Sequence, residues 1–567
     1  VNPSSALATV LVDELVRHGV REAVLCPGSR SAPLAYALQE ADRQGRLRLH
    51  VRVDERSAGF LALGLAKLTG VPAVVVTTSG TAVANLHPAV LEAHHAQVPL
   101  VVLSADRPPE LRGTGANQTT VQPGLFGAVV RWSADLGTPE RLAGQQAAWR
   151  STISRAVAAS RGLLGADAGP VHLNLPLREP LVPTVGADPW PEPLDGRPRG
   201  EPWVTVRATE PGAGGRWREP DPVSRTLVLI GDLPRRGQFE EAIAWARRQG
   251  WPVVAEPFGP HPREGAVPGG ALVLGATDWL DAHLPERVIT VGRLTLARQV
   301  AALLRRPGLR VEAVAGASEW SDPSHVVSVV HEWERLAGWE APAAPPSSDW
   351  SSAWEEAGRA VAKAVLDAMP PWPSGLAVAG SVLEGLPAGS TLFVGSSNAV
   401  RDLDLAAVRP ATARVVASRG LSGIDGCVST AVGIALGDDG PAYALLGDLT
   451  FLHDANGLAV GPEEPSADLT VVVVNDDGGG IFTLLEPGEP GLAADFERVF
   501  GTPLGMDLSA LCAAHGVVHQ LAGSEDELRA AVAEAPRGLR VVEVRVDRGG
   551  HRDAHARLRE AAAAALR

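Results

Sequence analysis

Gly447-Asp448-Leu449 and, further along, Val471-Val-Val-Val-Asn475-Asp476-Asp477-Gly478-Gly479 set the tightest limit on how this chain can fold. A small-residue turn presents one carboxylate. A strand with the look of full burial then ends in oxygen-bearing side chains and glycines. The 28 positions from Asp448 to Asp476 leave room for one crossover helix between two parallel strands. Two strand ends that both deliver hard oxygen ligands suit a divalent ion bound partly through a phosphate of a substrate or cofactor.

The same strand–turn–helix grammar recurs from the start of the chain. Glu22-Ala-Val-Leu-Cys26 runs into Pro27-Gly28-Ser29-Arg30, Ala73–Thr77 into Thr78-Ser79-Gly80-Thr81 before a helix through His95, and Pro99–Leu103 into Ser104-Ala-Asp106-Arg107-Pro108. Leu7 to His18 is amphipathic. Such repetition predicts an α/β fold of parallel sheets flanked by helices, with ligands at the carboxyl ends of strands. A length of 567 residues implies about three domains. Val182 to Asp221, rich in Pro, Gly and Trp, and Ala341-Pro-Ala-Ala-Pro-Pro-Ser-Ser348 lack sustained periodicity and read as linkers. Thr226-Leu-Val-Leu-Ile-Gly231 opens a second α/β unit between them. The expected divisions are therefore 1–185, 186–340 with the first linker, and 341–567 with the second.

Composition narrows the class of partner. Apolar residues make up 45% and charged residues 20%, as in a globular enzyme, and the net charge of −14 disfavours nucleic acid and anionic membrane. The longest apolar runs are strand length, so no membrane-spanning segment is expected. Val1-Asn-Pro-Ser-Ser-Ala-Leu lacks the features of a signal peptide. Cys26, Cys427 and Cys512 are widely spaced, without a CxxC pair, which fits buried thiols in a reducing cytoplasm.

Val51-Arg-Val-Asp54-Glu55-Arg56 places a glutamate where a short apolar strand gives way to a helix, Ala58 to Lys67, that is apolar nearly all round and expected to be buried. A carboxylate at that mouth is expected to be desolvated and suited to proton exchange. The plainer alternative is a helix-start acid favoured by the macrodipole. A lone strand-end glutamate at one end of the chain and a Gly-Asp metal-type loop at the other together resemble the thiamine-diphosphate enzymes.

Further motifs narrow the resemblance. Cys26-Pro-Gly-Ser29-Arg30-Ser-Ala-Pro33, Asp54-Glu55-Arg56, Ser104-Ala-Asp-Arg107-Pro-Pro-Glu110 and Gly115-Ala-Asn117-Gln118 lie in the first third. Gly395-Ser-Ser397-Asn-Ala-Val-Arg401, Ser418-Arg419-Gly-Leu-Ser-Gly-Ile424-Asp-Gly426 and Gly478-Gly-Gly-Ile481-Phe482-Thr-Leu-Leu485 lie in the last. In this order, over nearly the whole chain, they resemble the 2-succinyl-5-enolpyruvyl-6-hydroxy-3-cyclohexene-1-carboxylate synthase family. That family decarboxylates 2-oxoglutarate on thiamine diphosphate and adds the succinyl unit to isochorismate in menaquinone biosynthesis.

The resemblance implies a pyrimidine-binding domain, a central domain and a diphosphate-binding domain, and a homodimer or dimer of dimers with the active site at the subunit interface. It implies thiamine diphosphate with Mg²⁺, or Mn²⁺ in its place, held by the side chains of Asp448 and Asp476 and the carbonyl of Gly478. Asn475 or Asp477 is the ligand if the register is one residue off. Glu55 would hydrogen-bond the aminopyrimidine ring and drive ylide formation. Ile424 would hold the bent cofactor, and Ile481, Phe482 and Leu485 would line the cavity. Arg30, Arg107, Arg298, Arg401 and Arg419 match substrate-binding arginines, with Ser29, Asn117, Gln118 and Ser397 as polar neighbours. Arginine suits two multiply anionic substrates because its planar fork pairs with carboxylates and stays charged when desolvated. Two departures stand out: Asn-Asp-Asp where many thiamine enzymes have an Asn pair, and Leu296-Ala297-Arg298 where the family often carries a Lys-Arg pair.

Overall fold

The computed structural model describes all residues except 184–188, 207–216, 218–222, 317, 342–347 and 410. Eighteen strands are found among the described residues: β1 (Glu22–Leu25), β2 (Arg48–Val51), β3 (Ala73–Thr77), β4 (Leu100–Asp106), β5 (Trp132–Asp135), β6 (Pro170–Pro176), β7 (Thr226–Ile230), β8 (Val253–Ala255), β9 (Gly259–Pro260), β10 (Arg287–Val291), β11 (Arg310–Ala315), β12 (Val327–Glu332), β13 (Thr391–Val394), β14 (Arg414–Ala417), β15 (Ala442–Gly447), β16 (Leu469–Asn475), β17 (Val518–Leu521) and β18 (Leu539–Arg545). They form three sheets, ordered β2-β1-β3-β4-β6-β5, β12-β11-β10-β7-β8 and β17-β18-β16-β15-β13-β14-β9. Pairing is parallel throughout, apart from the short β9 against β14. Buried valines and leucines dominate β3, β4, β7, β10 and β16, as expected of strands covered by helices on both faces.

Two compact units result. The first comprises Val1–Ala208, Gly420–Asp439 and Asp454–Ala467, and the second comprises Thr209–Arg419, Gly440–His453 and Asp468–Arg567. The six-stranded sheet belongs to the first unit and the other two sheets to the second. The 185/186 division falls among residues outside the description, as do most of the 341–348 linker and much of the Val182–Asp221 stretch.

In the first unit, the helix Glu55–Lys67 is buried continuously from Ser57 to Ala66, as its apolar circumference predicts. It packs against the helix Cys427–Gly437, contributed by the last third of the chain. An ideal Cβ on Gly64 would lie 2.2 Å from the Thr430 carbonyl oxygen, and one on Gly433 would lie 2.3 Å from that of Leu61. Glycine at both positions is what lets the two backbones approach this closely.

Two expectations shift in detail. Ser104 to Asp106 continue β4 instead of turning, because they pair with Asn174 to Pro176 of β6 and are buried. The helix expected from Thr81 through His95 is broken into Thr81–Ala84 and His87–His95, with Pro88 at the start of the second piece. Proline lacks the N–H that a continuous helix would need there.

Candidate active site

β15 and β16 pair in parallel register as expected, so their carboxyl ends lie side by side, but the connection is the short helix Asp448–His453 and a 3-10 turn at Ala455–Leu458 and not one crossover helix. Asp448 opens the helix Asp448–His453 directly after β15 and is 4% exposed. Its carboxylate accepts from the N–H groups of Leu449 and Gly478 and is hydrogen-bonded to the Asp476 side chain. Burial raises both carboxyls above the ordinary range, and for Asp476 the facing Asp448 adds to the rise. Oδ1 of Asp476 is buried without a hydrogen-bond partner among the described residues.

The three side chains at the end of β16 have different neighbours. Asn475 Nδ2 donates to Glu543 Oε1 at 2.8 Å, and Asp477 Oδ1 accepts from the N–H groups of Leu504 and Gly505 at 3.1 and 2.8 Å. Only Asp476 of the three is turned to Asp448. Gly478 has φ +152°, and an ideal Cβ on it would lie 2.1 Å from the Gly501 carbonyl oxygen; one on Gly480 would lie 1.9 Å from Asp476 Oδ2. Two facing desolvated carboxyls, an unsatisfied oxygen and a glycine cradle fit a hard divalent cation. His551, outside the motifs, completes this corner: it is buried, lies 3.8 Å from Asp476 Oδ2, and is 3.0 Å from Asn398 Nδ2. Its only trace in sequence is a glycine pair after β18.

Beside it, a cavity of about 330 Å³ is lined by Leu296, Arg298, Arg401, Asp404, Ile481, Leu485 and Arg559, among others. The structure thus brings together four of the expected residues. Burial, and then the nearby Arg298, lowers the pKa of Arg401. Burial pushes the Asp404 carboxyl up to about 6 against the pull of Arg263 and Arg401. Arg559, unsignalled in the sequence, adds a cation beside Arg298 where Leu296-Ala297 supplies none. Arg419 donates to Thr295 Oγ1 through Nε and Nη2 at 3.1 and 2.8 Å and lies over the Phe258 ring. Ser397 precedes the helix Asn398–Ala406 at φ +81°, a conformation costly for a non-glycine residue and common at ligand sites. Phe482 stands 5.4 Å, centroid to centroid, from Phe500.

In the first unit, Arg30 and Arg107 form a cationic pair. Arg30 is 9% exposed, donates to the Leu177 carbonyl at 2.9 Å, and has its pKa lowered by burial and then by the Arg107 charge. Arg107 donates to Ser79 Oγ at 2.6 Å; that hydroxyl donates to the Gln118 carbonyl, and Gln118 Nε2 donates back to the Ser79 carbonyl. Two guanidiniums held within mutual repulsion concentrate positive charge, which Glu179 Oε1, 3.7 Å from Arg30 Nη2, offsets in part. Ser29 and Asn117 are exposed nearby in sequence but join none of these bonds.

Glu55 sits in the first turn of its helix and is half-buried, not enclosed as expected. Capping falls instead to Asp54, whose Oδ1 accepts from the N–H groups of Arg56 and Ser57 and whose Oδ2 accepts from Asn456. Because Asp54 satisfies the helix start, the Glu55 carboxylate is not spent on it. Ile424 is half-buried in the loop before Gly426, where an ideal Cβ would lie 1.9 Å from the Phe60 ring.

Comparison with known proteins extends this geometry. Residues 6–125 match the thiamine pyrophosphate enzyme N-terminal TPP binding domain, and residues 401–544 match the C-terminal TPP binding domain. Over 572 aligned residues, covering all of both chains, the sequence is 50% identical to the 2-succinyl-5-enolpyruvyl-6-hydroxy-3-cyclohexene-1-carboxylate synthase of Saccharopolyspora erythraea. Proteins of the same name from Rhodococcus jostii (48% identical, 99% of each chain) and Kineococcus radiotolerans (50%, 96% of each) are similarly close. The crystal structure of benzoylformate decarboxylase from Polynucleobacter necessarius aligns with a TM-score of 0.64 at 18% identity, covering 96% of this chain and 98% of that one. At that identity the likeness concerns the fold alone.

Proposed function

The chain belongs to the 2-succinyl-5-enolpyruvyl-6-hydroxy-3-cyclohexene-1-carboxylate synthase family of thiamine-diphosphate enzymes, and we propose that it joins the succinyl unit of 2-oxoglutarate, after loss of CO₂, to isochorismate in menaquinone biosynthesis. The observation that carries this reading is the full-length identity of 50% together with the facing pair Asp448 and Asp476.

Each residue set has a distinct task. Asp448, Asp476 and the Gly478 carbonyl hold Mg²⁺, or Mn²⁺, against the diphosphate. Glu55 would hold a proton at its carboxyl for exchange with the bound cofactor, and Ile424 would offer the cofactor an aliphatic contact. Bound thiamine diphosphate supplies the electron sink for decarboxylation and carbon–carbon bond formation; the protein supplies orientation and charge. Arg401 and Arg419, with Ser397, hold the carboxylates of the oxoacid, and Arg298 adds positive charge beside them. Arg30 and Arg107, with Ser29, Asn117 and Gln118, hold isochorismate. Ile481, Phe482 and Leu485 form apolar walls that keep water from the reacting carbon.

Family membership supports a homodimer or dimer of dimers whose subunits share each active site, and a three-domain division at 1–185, 186–340 and 341–567. A cytoplasmic location fits the three free, buried cysteines. Among the described residues, no helix is long and apolar enough to cross a membrane.

The test is CO₂ release from 2-oxoglutarate in the presence of isochorismate, with and without thiamine diphosphate and Mg²⁺, and with pyruvate as the competing oxoacid. Glu55→Gln should keep the fold and most cofactor affinity while turnover falls by about 100-fold or more, the size of a lost acid–base contact. Turnover with pyruvate alone would refute the substrate assignment, and a near-normal rate in the variant would refute the role of Glu55.

A further inference from the structure

Glu256 belongs to none of the motifs above. It follows β8 at the carboxyl edge of the five-stranded sheet and is 6% exposed. Its Oε1 accepts from the backbone N–H groups of Thr295 and Leu296, both at 2.6 Å, and its Oε2 lies 3.4 Å from Thr295 Oγ1. Thr295 Oγ1 in turn accepts from Arg419 through Nε and Nη2. The Leu296 carbonyl accepts from Arg401 Nη1 at 3.4 Å, and two residues on Arg298 opens the helix Arg298–Leu304. Arg263 fixes the other side by donating to the carbonyls of Ala255 and Glu256 at 2.8 and 2.6 Å. One turn, residues 295–298, therefore carries or anchors three arginines, and one buried acid anchors the turn.

We propose that Glu256 is a positioning residue for the oxoacid site: by holding the 295–298 turn it sets the spacing of Arg298, Arg401 and Arg419 that recognises a dicarboxylate. The proposal rests on the functional reading above, in which these arginines bind 2-oxoglutarate. Burial pushes the Glu256 carboxyl up to about 8; the Leu296 N–H, the Thr295 N–H and the Arg419 charge oppose that rise, and Asp404 adds to it. A carboxyl kept neutral in this way still offers Oε1 as an acceptor, so glutamine at 256 preserves the contact and alanine removes it.

Three variants of the full-length protein test this. Glu256→Ala leaves two buried N–H groups unpaired, so the turn relaxes and KM for 2-oxoglutarate rises about tenfold or more, the effect of a displacement near 1 Å. KM for isochorismate and calorimetric affinity for thiamine diphosphate with Mg²⁺ stay within about twofold. Glu256→Gln restores the wild-type KM. Thr295→Val, close in shape and able to fold should the alanine variant fail, removes the Arg419 acceptor and the long hydroxyl contact to Glu256 Oε2 but keeps both backbone N–H bonds to Glu256, and raises the same KM severalfold. A lower folded fraction with unchanged KM in both Glu256→Ala and Thr295→Val, or equal damage from Gln and Ala, would overturn the proposal. A wild-type protein inert toward 2-oxoglutarate would refute the functional reading instead. Amide exchange over residues 294–299 then decides the positioning role: faster in Glu256→Ala but not in Glu256→Gln supports it, and unchanged exchange overturns it.

Discussion

Asp448 and Asp476 face each other with a buried oxygen unsatisfied, whereas Arg401 and Arg419 enter their site already hydrogen-bonded to a carbonyl and a hydroxyl of the 295–298 turn. Both regions concentrate like charge in the second unit, and the protein resolves the repulsion differently. The acidic pair is incomplete in itself: burial raises its pKa values until a proton, or a divalent ion, takes up the excess charge. The arginine cluster is held in advance on a backbone scaffold, with Asp404 and Glu256 beside it, and in the proposed function it receives an anion. A site that binds a metal can leave part of its electrostatic balance to the ligand. A site that must measure the distance between two carboxylates needs its cations fixed before the ligand arrives.

The sharpest way to break that contrast is at the acidic pair. Asp448→Ala should lower Mg²⁺-dependent affinity for thiamine diphosphate on the order of 100-fold or more, the effect expected of its proposed role as a direct metal ligand. The apo-protein should stay folded. Calorimetry of cofactor binding and thermal unfolding without metal measure the two halves. Unchanged cofactor binding would move the metal site elsewhere.

Arg401→Ala probes the prebuilt side. Removing a desolvated cation paired with a substrate carboxylate should cost on the order of 2–5 kcal/mol in kcat/KM for 2-oxoglutarate. Isochorismate should be affected much less. Saturation curves for both substrates decide it: equal, small losses would mean the arginines only steer anions in bulk.

A third test sharpens the comparison through pH. Glu256 lies among Arg263, Asp404 and Arg419, and its folded-state pKa of about 8 stands above the ordinary carboxylate value of 4.5. Between these values the folded protein holds a proton that the unfolded chain releases. The contribution of this group to stability is therefore full below about 4.5 and is lost as pH rises toward 8, by at most about 1.4 kcal/mol per pH unit. Denaturant titrations from pH 5 to 8 should show a shallower decline for Glu256→Gln than for the wild type. Parallel curves would place the ionisation elsewhere.

Much of the site was legible because the chemistry sits where the pattern changes. Gly-Asp after one apolar strand and Asn-Asp-Asp-Gly-Gly after the next mark two strand ends whatever their surroundings, and parallel pairing of β15 with β16 joins them as the spacing predicted. Arg30, Arg107 and Arg401 were marked in the same way by adjoining glycine, serine or proline. Glu256, Asp404, His551 and Arg559 carried no such mark. Glu256 acts through contacts to residues about forty positions away, and the other three lie on or at the start of helices, where a polar residue more often faces solvent.

By itself the sequence determined the α/β class, the order of strand-end motifs and the family, because short continuous apolar runs and glycine-bearing turns are local properties that each segment carries wherever it packs. Only the tertiary structure decided which of Asn475, Asp476 and Asp477 turns toward Asp448. At the end of β16 successive side chains leave the strand in different directions, and each direction acquires a partner only from another segment: Glu543 for Asn475, Asp448 for Asp476, and the 504–505 backbone for Asp477. The same holds for the half-burial of Glu55 and for the buried acid behind the arginines. A side chain's neighbours, and with them its charge state, are set by segments far away in the chain.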